Sequence, residues 1–326
     1  MLEAKIEGIV KRVNKELNTR LKFRAPSQLY NATRWLIKAG GKRLRPVLAI
    51  LSCEAVGGEK EKALPFATSL ELVHNFTLIH DDIMDKDEFR RGVKTTHVVF
   101  GESTAINAGD ALFALAFETL STLNIDNKKV KELVSEFSKA IRKIAEGQQL
   151  DLDFEKRKII ALEEYFKMIE LKTSRLFELA TKGGAIIGNG SKAEIAALAQ
   201  YGKYLGLGFQ VWDDFLGIVG DPKITGKPIG NDLRRGKKTI IVAHGMSRLK
   251  GKDRKYLLRT LGNDKASQTR VERAITLLKE AGSIDYARDV AITYASRAKQ
   301  ALNAIRSSEA KTILELIADY AVGRDR

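Results

Sequence analysis

The chain has 326 residues, of which 44% are hydrophobic and 30% are charged, the balance of a globular protein and not of a disordered or fibrous one. Its formal net charge of +15 favours a polyanionic partner, which could be nucleic acid, an anionic membrane surface or a phosphorylated substrate. A solvated surface rich in lysine and arginine would explain the same charge, so charge alone assigns no function.

Targeting and linker signals are missing from the sequence. The first residues lack the apolar core of a secretory signal, and no stretch reaches the roughly 18 apolar residues that a membrane span needs. The single cysteine, Cys53, lies in an apolar run and cannot form an internal disulfide, which favours a core position in a reducing compartment. With five prolines and no linker-like segment, we expect one cytoplasmic domain over residues 1–326.

Apolar residues recur at helical spacing along most of the chain. Stretches 64–84, 103–123 and 191–220 run far beyond the length of a strand, and convincing two-residue alternation is absent. Breaks rich in glycine, proline, asparagine or aspartate fall at residues 39–46, 56–60, 123–129, 188–192 and 220–232. The pattern predicts an all-α protein of about a dozen helices.

Two predicted helices, 70–85 and 205–219, are apolar on nearly every side, which predicts that they are buried. Each carries an acidic cluster toward its end: Asp81, Asp82 and Asp85 on the first, Asp213 and Asp214 on the second. Helical spacing puts Asp81 and Asp85 on one face, which His74 and Thr77 extend, and puts Gln210 and Asp213 on one face.

Like charges on one helix face repel each other, and a cation between them would remove that cost. Carboxylates without cysteine suit a hard ion such as Mg²⁺, which also binds phosphate oxygens. Two such clusters facing each other would form a clamp for a magnesium diphosphate, whereas exposed helix-end acids are the alternative.

Basic residues lie in short, rigid contexts beside the acidic clusters. Lys42, Arg43 and Arg45 follow a Gly-Gly turn, Arg90 and Arg91 follow the first cluster, and Lys227 and Lys237 flank the loop after the second. Guanidinium groups bind phosphate oxygens in pairs, and lysine adds a mobile point charge. A solvated charge is the usual meaning of any one of them, but their placement favours a phosphate site.

The motifs taken in order resemble those of the trans-isoprenyl diphosphate synthases, the farnesyl and geranylgeranyl diphosphate synthase family, in its archaeal short-chain type. The resemblance spans nearly the whole chain. Its motifs are GGKRLRP at 40–46, DDIMD at 81–85, RRG at 90–92, GQQLD at 147–151, KT at 172–173, FQVWDD at 209–214, GKP at 226–228 and GKKT at 236–239. Two aspartate motifs with RRG between them are specific, whereas KT or GKP alone would mean little.

The resemblance implies a fold, substrates and residue roles. The fold would be the isoprenoid synthase fold, a single large helical bundle around a deep central cavity, in a homodimer with three Mg²⁺ ions per active site. Isopentenyl diphosphate would be held by Lys42, Arg45, His74 and Arg91, and the allylic diphosphate by Arg90, Lys172, Lys227 and Lys237. Magnesium would be bound by Asp81, Asp85 and Asp213. Lys172, Thr173 and Gln210 would act catalytically near the developing carbocation, with Asp82, Asp214, Gln148 and Asp151 in supporting positions.

Two details refine the resemblance. The second motif often ends in a fifth-position aspartate, but here that position is Gly217, which cannot bind a metal ion, so this side of the site would rest on Asp213. Before the first motif, Phe76 followed by Thr77 is the archaeal arrangement, which implies a C20 product, with C15 as the alternative. Phe76 could also be an ordinary core residue.

The chemistry implied is ionisation of the allylic diphosphate, attack by the double bond of isopentenyl diphosphate, and loss of a proton. A terpene cyclase of the same fold would not need a second diphosphate site, and a silent subunit of a heteromeric synthase would be expected to lack aspartates of the first motif. A nucleic-acid binder is favoured by net charge alone, so we expect no nucleic-acid partner.

Overall fold

A computed structural model describes residues 2–220 and 229–324, and their regular structure is almost entirely helical. The first helices are α1 (Leu2–Arg20), α2 (Ser27–Lys38), α3 (Leu44–Ala55), α4 (Lys60–Met84), α5 (Thr96–Phe100), α6 (Glu102–Leu120) and α7 (Asn127–Glu155). The later helices are α8 (Leu162–Ile169), α9 (Arg175–Ile187), α10 (Lys192–Val219), α11 (Asn231–Arg235), α12 (Ile240–Arg248), α13 (Gly251–Thr260), α14 (Gln268–Glu280), α15 (Ser283–Ala301) and α16 (Glu309–Ala321).

Three short elements interrupt this pattern in the described residues. A π-helical turn, Glu170–Ser174, joins α8 to α9, and a 3₁₀ turn, Leu302–Ala304, follows α15. Strands β1 (Phe89–Arg90) and β2 (Val93–Lys94) form an antiparallel hairpin. The all-α prediction is confirmed, although it missed the hairpin and the π-helical turn.

The chain divides into two compact units, each built from separate stretches of sequence. The first unit comprises the residues up to Ser138, together with Leu179–Leu198 and Ala304–Leu314. The second comprises Lys139–Glu178, Ala199–Asn303 and the described residues from Glu315 onward. The predicted single domain and central cavity stay predictions.

The core of the first unit surrounds α4, which packs against α3 and α6. Leu70, Leu72 and Val73 of α4 are fully buried, as the apolar pattern of this helix predicts. Cys53 of α3 is also fully buried, and burial raises the pKa of its thiol to about 12. The cysteine is therefore a core residue, as predicted. A thiol with such a pKa is not a nucleophile at pH 7.

The core of the second unit joins the end of α10 to α8, α12, α14 and α15. Val211 of α10, Ile240 and Ile241 of α12, and Ala291 of α15 are buried in one apolar cluster. Helix α12 packs against α8 and α15, and α14 packs against α13 and α15. Helix α10, which carries the second aspartate motif, therefore packs against apolar neighbours through its apolar side chains. Its polar side chains lie on the rest of its surface.

Helix boundaries follow the predicted breaks closely. The break at 39–46 is shorter than expected because α3 begins at Leu44, where Pro46 fits in the first turn. The predicted loop at 220–232 lies largely outside the described residues, and α11 begins at its end. No helix in the described part of the chain combines the length and hydropathy that crossing a bilayer requires.

Candidate active site

The first acidic cluster closes α4. The helix ends at Met84, and the backbone N–H of Asp85 donates a hydrogen bond of 2.8 Å to the carbonyl oxygen of Asp81. One helical turn therefore separates Asp81 from Asp85, as their spacing predicts, and both are partly exposed. Two carboxylates one turn apart repel each other, so this end of α4 favours a cation.

Asp82 differs from its neighbours because it is fully buried. Its Oδ1 accepts a hydrogen bond of 2.5 Å from Nε of Arg90, which also reaches Asp87 at 3.5 Å. Burial raises the pKa of Asp82 to about 6, and the charge of Arg90 opposes that rise. Oδ2 of Asp82 has no hydrogen-bond partner among the described residues. Asp82 therefore holds Arg90 beside the acidic cluster.

The hairpin after α4 separates the two arginines of RRG. Arg90 pairs with Val93 across the strands, so Arg91 and Gly92 form the two-residue turn. Both turn residues have positive φ, 54° and 76°, which is the conformation of a type I′ turn. The Arg-Gly pair was the local signal for this hairpin. The sequence analysis did not use it, because the surrounding residues show a helical pattern.

A buried ion pair fixes the turn that precedes α3. Arg43, whose φ is 50°, donates a hydrogen bond of 2.8 Å to Oε1 of Glu71, and both side chains are 2% exposed. The same guanidinium donates to the carbonyl oxygens of Ile37 at 2.7 Å and Gly40 at 3.0 Å. Arg43 is therefore a structural residue of the GGKRLRP motif, a role that sequence analysis missed.

Arg45, His74 and Arg91 form a polar group in the first unit. Nη1 of Arg45 lies 3.3 Å from Nε2 of His74. Burial, together with the charges of Arg45 and Arg91, holds the pKa of His74 well below its usual value, so the imidazole is neutral at pH 7. Arg91 donates to Oδ1 of Asn75 at 3.2 Å, and Lys42 is exposed nearby in sequence. Guanidinium groups around a neutral histidine suit an anionic ligand such as a diphosphate.

Aromatic rings line α4 and α6 in the first unit. Phe76 makes an edge-to-face contact with Phe113, at 5.4 Å between ring centroids, and Phe113 makes one with Phe117 at 5.2 Å. Thr77, the next residue of α4, donates its hydroxyl hydrogen to the carbonyl oxygen of His74 at 2.9 Å. Phe76 therefore belongs to a row of aromatic side chains and is only partly buried.

In the second unit, Asp214 is the buried centre of a hydrogen-bond network. Its Oδ2 accepts hydrogen bonds from the hydroxyl of Tyr165 at 2.7 Å and the backbone N–H of Ile240 at 3.2 Å, while Oδ1 accepts from Nε2 of Gln210 at 3.1 Å. Burial raises the pKa of Asp214 to about 7, against the effect of these donors. Oε1 of Gln210 accepts the hydroxyl hydrogen of Thr173 at 2.8 Å. The network therefore orients the Gln210 amide.

Asp213 is the more exposed member of the second cluster, at 45% of its side chain. Its Oδ1 forms an ion pair with the buried guanidinium of Arg324, which stacks 3.8 Å from the ring centroid of Phe209. The indole of Trp212 donates to the carbonyl oxygen of Arg324 at 2.9 Å. Sequence analysis missed Arg324, because a partner 111 residues away leaves no local signal.

Asp151 links two of the predicted diphosphate ligands. Its Oδ2 lies 2.6 Å from Nζ of Lys172 and 3.2 Å from Nζ of Lys237, which also reaches Glu155 at 2.7 Å. Burial opposes the ionisation of Asp151, but the two ammonium groups outweigh it and lower its pKa. Asp151 is thus a charged acceptor that holds both lysines.

The π-helical turn carries Lys172 and Thr173, and Gly147 of α7 lies directly against it. A methyl group on Gly147 would come within 2.3 Å of the backbone nitrogen of Lys172, so only glycine fits there. One turn further along α7, Asp151 reaches the Lys172 side chain. The GQQLD and KT motifs therefore contact each other in the second unit, through the backbone at Gly147 and the side chain of Asp151.

The predicted site residues fall into two groups. The first unit contains those of the GGKRLRP, DDIMD and RRG motifs, and the second unit contains those of the GQQLD, KT, FQVWDD and GKKT motifs. Lys227 lies outside the described residues. Gln148 is partly buried on α7. The roles that the resemblance implies for all of these residues stay predictions.

The carboxylates suit magnesium in kind, although they do not enclose it by themselves. Within residues 2–220 and 229–324, no three His, Cys, Asp or Glu side chains converge closely enough to hold a metal ion. Magnesium commonly takes one or two protein carboxylates and completes its octahedron with waters and substrate phosphates. Asp81, Asp85 and Asp213 offer oxygen ligands of that kind, so the residues present fit this ion.

Comparisons with known proteins identify the family of the chain. A family model described as polyprenyl synthetase matches residues 26–278. The geranylgeranyl diphosphate synthase of Methanosarcina mazei is 44% identical over 300 residues, which cover 92% of this chain and 91% of that protein. The geranylfarnesyl diphosphate synthase of Aeropyrum pernix is 41% identical over 307 residues, which cover 92% and 95%. The crystal structure of geranylgeranyl pyrophosphate synthetase from Pyrococcus horikoshii has a TM-score of 0.96 and 42% identity, covering 99% of this chain and 98% of that one.

The fold and the site define a trans-prenyltransferase of the isoprenoid synthase fold, as predicted. The chain belongs to the polyprenyl synthetase family. A terpene cyclase and a silent subunit are not favoured, because these relatives are named as diphosphate synthases.

Proposed function

We propose that this protein joins isopentenyl diphosphate head-to-tail to allylic diphosphates and makes geranylgeranyl diphosphate, a C20 compound, as its main product. The accepted primers are dimethylallyl, geranyl and farnesyl diphosphate. The observation that carries the proposal is that each unit holds carboxylates paired with cationic side chains, in a chain that is 41 to 44% identical to named prenyl diphosphate synthases.

Two sets of cations bind the two diphosphates in this proposal. Isopentenyl diphosphate is bound by Lys42, Arg45, His74 and Arg91. The neutral imidazole of His74 offers one N–H donor. Nη1 of the Arg45 guanidinium lies 3.3 Å from the ring nitrogen Nε2 of His74. Held in this way, isopentenyl diphosphate keeps its double bond in place for attack.

The allylic diphosphate is bound by Arg90, Lys172, Lys237 and, outside the described residues, Lys227. Asp82 and Asp151 hold Arg90 and the two described lysines in place through the contacts given above. As the allylic C–O bond breaks, these cations stabilise the negative charge that develops on the leaving diphosphate.

Proteins of this family generally depend on magnesium. Asp81, Asp85 and Asp213 are the residues proposed to hold Mg²⁺, which would supply further positive charge to the leaving diphosphate. We propose three ions per active site, as the resemblance implies.

The carbocation left on the allylic carbon lies near Lys172, Thr173 and Gln210. The hydrogen bond of 2.8 Å between Thr173 and Gln210 keeps their oxygens in a fixed arrangement beside it. The double bond of isopentenyl diphosphate attacks the cation to form the new C–C bond, and a proton passes to the departing diphosphate. Exclusion of water prevents capture of the cation as an alcohol.

Product length is set by Phe76 in this proposal. The ring of Phe76, backed by Phe113 at 5.4 Å, stops the growing chain at C20. The relative from Aeropyrum pernix carries a name that denotes a C25 product, so C25 is one competing product length. The other is C15, the alternative that the sequence analysis left open.

Two further properties belong to the proposal. We place the protein in the cytoplasm and expect a homodimer. The dimer is supported by exposed apolar side chains on α5 and α6, where Val98, Val99 and Ile106 are 40 to 42% exposed. Apolar side chains exposed on two helices that contact each other could be buried by a second copy of the chain.

The test is an assay with isopentenyl and dimethylallyl diphosphate in the presence of Mg²⁺, with product length measured by mass spectrometry. We expect a C20 diphosphate that disappears with a chelator and in Asp81→Ala. The matched control is Asp110→Ala, which removes an exposed carboxylate on α6 and is expected to keep wild-type activity.

Absence of condensation with every primer from C5 to C20, in a folded protein, would contradict the proposal. Cyclic hydrocarbon products would then favour a cyclase, and activity that returns only with a second chain would favour a silent subunit. Binding to DNA that persists at moderate salt would revive the nucleic-acid alternative.

A further inference from the structure

One end of the Arg91 guanidinium group is fixed by neutral groups of the protein. Its Nη1 donates hydrogen bonds to the carbonyl oxygens of Leu36 at 2.9 Å and Gly40 at 2.5 Å, and to Oδ1 of Asn75 at 3.2 Å. Among the described residues, no carboxylate forms an ion pair with Arg91, and its Nε and Nη2 have no hydrogen-bond partner. Arg91 therefore offers two nitrogen donors and an unneutralised charge to an anionic ligand.

The neighbouring Arg43 is neutralised, in contrast, by the buried carboxylate of Glu71 at 2.8 Å. Both arginines lie against Gly41, where a methyl group would be 3.1 Å from Nη1 of Arg43 and 3.0 Å from Cζ of Arg91. Both also donate a hydrogen bond to the carbonyl oxygen of Gly40. Two cations this close repel each other, so Arg91 needs contacts that hold it in this place.

Asn75 supplies one of these contacts, and the orientation of its amide is fixed. The side chain is fully buried on α4. Its Nδ2 donates to the backbone carbonyl oxygen of Glu71 at 2.8 Å and to Oε1 of Glu71 at 2.9 Å. Because the amide nitrogen is bound by two acceptors, the amide oxygen is the atom that faces Arg91. Asn75 thus connects the Arg43–Glu71 pair to Arg91 through a neutral group.

We propose that Asn75 is a positioning residue for Arg91 and that it determines the affinity for isopentenyl diphosphate through this contact. This inference deepens the proposed function and rests on it, since Arg91 is there a ligand of isopentenyl diphosphate. A carboxylate in place of the amide would hold Arg91 but would also compete with the diphosphate for its charge. The neutral amide holds the guanidinium without that competition.

The test is binding of isopentenyl diphosphate to the full chain without an allylic substrate, so that no turnover occurs, measured by isothermal titration calorimetry. Asn75→Leu removes the amide and keeps a side chain of similar size. We expect its Kd for isopentenyl diphosphate to rise roughly tenfold, the effect of losing a hydrogen bond to a charged group.

Steady-state kinetics separate positioning from a general structural effect. In Asn75→Leu, the KM for isopentenyl diphosphate should rise with the Kd, while the KM for geranyl diphosphate stays at the wild-type value. General damage to the fold would raise the KM values for both substrates, because both diphosphates depend on the same folded chain.

Thr68→Val is the matched control, because Thr68 is also fully buried on α4. Its hydroxyl donates to the carbonyl oxygen of Leu64 at 2.8 Å, and among the described residues it makes no hydrogen bond to Arg91. This variant loses a buried polar group from the same helix and should bind isopentenyl diphosphate like the wild type.

Wild-type affinity in Asn75→Leu would overturn the proposal. An equal rise of both KM values would do the same, and so would a loss of affinity in Thr68→Val as large as that in Asn75→Leu. If Asn75→Leu does not fold, the smaller Asn75→Ala decides by the same criteria. A wild-type protein that neither binds isopentenyl diphosphate nor makes a product refutes the proposed function. Wild-type condensation together with unchanged affinity in the Asn75 variant refutes this inference alone.

Discussion

At the scale of single residues, each buried charge of the site is matched by a partner. Asp82 holds Arg90, Asp151 holds two lysines, and Asp214 receives three hydrogen bonds. A buried charge without a partner costs several kcal/mol or loses its charge, so these contacts are required for the site to exist. They also restrict the rotamers of the side chains that are proposed to meet the substrates.

Tyr165→Phe tests this restriction. The change removes the 2.7 Å hydrogen bond to Asp214 and leaves the ring in place, so Asp214 holds the Gln210 amide less firmly. We expect kcat to fall roughly tenfold while the KM values stay near those of the wild type, because the lost contact acts on the cation and not on the diphosphates. Steady-state kinetics with geranyl diphosphate measure both.

Tyr201→Phe is the matched control, since Tyr201 is equally buried in the second unit but is not part of the Asp214 network. A kcat that falls equally in both variants would mean that loss of any buried hydroxyl has this effect, and the positioning role of Tyr165 would be wrong.

Phe76→Ala tests the proposed limit on product length. Loss of the ring opens the row of aromatic side chains between α4 and α6, so the product should lengthen from C20 to C25 or beyond. Mass spectrometry of the products gives the length directly. Phe23→Ala, at a position 61% exposed, serves as the control and should leave the product unchanged. An unaltered product in Phe76→Ala would make Phe76 an ordinary packing residue.

At the scale of elements, close approach of backbones positions the motif residues. The clearest case is α7 against the π-helical turn, where Gly147 leaves room for the backbone of Lys172. Another is the turn before α3, where the buried Arg43–Glu71 pair fixes a residue with positive φ. The GQQLD motif therefore combines Gly147, which leaves room for the backbone of Lys172, with Asp151, which forms an ion pair with the Lys172 side chain.

Gly147→Ala should disrupt the first of these contacts. The new methyl group would meet backbone atoms at 2.3 Å, which no side-chain rotation can relieve. We expect a loss of about 1–3 kcal/mol in the free energy of unfolding, the usual cost of overpacking, together with loss of activity. Urea denaturation followed by circular dichroism measures the stability.

Gly8→Ala is the paired control, because Gly8 is an exposed glycine of α1 with nothing within 4 Å of the added methyl group. It should stabilise the protein slightly, by up to about 1 kcal/mol. Equal stability changes in the two variants would show that the approach of α7 to the π-helical turn is not tight.

At the scale of the whole molecule, net charge and the exposed apolar surface have different consequences. The +15 charge suits substrates that carry two phosphates each, which it attracts at long range. The apolar side chains on α5 and α6 do not contribute to that attraction, and they support the proposed homodimer.

Sedimentation analysis should therefore give twice the chain mass of 36.2 kDa. Ile106→Glu puts a charge among the exposed apolar side chains of α5 and α6 and should shift the protein toward the monomer. Ile292→Glu, on α15, changes a side chain that is 48% exposed in the second unit and should leave the dimer intact. A wild-type monomer at micromolar concentration would contradict the proposed assembly.

The amino-acid sequence by itself determined the helical class, the two apolar helices that carry the aspartates, and the family. These follow from periodicity and from motifs of adjacent residues, which are local properties of the chain. Only the tertiary structure decided that Arg43 is a buried structural residue, that Asp213 pairs with Arg324 and that Asn75 contacts Arg91. Each of these contacts joins residues distant in sequence, so it depends on how the elements pack, and no local pattern encodes that packing.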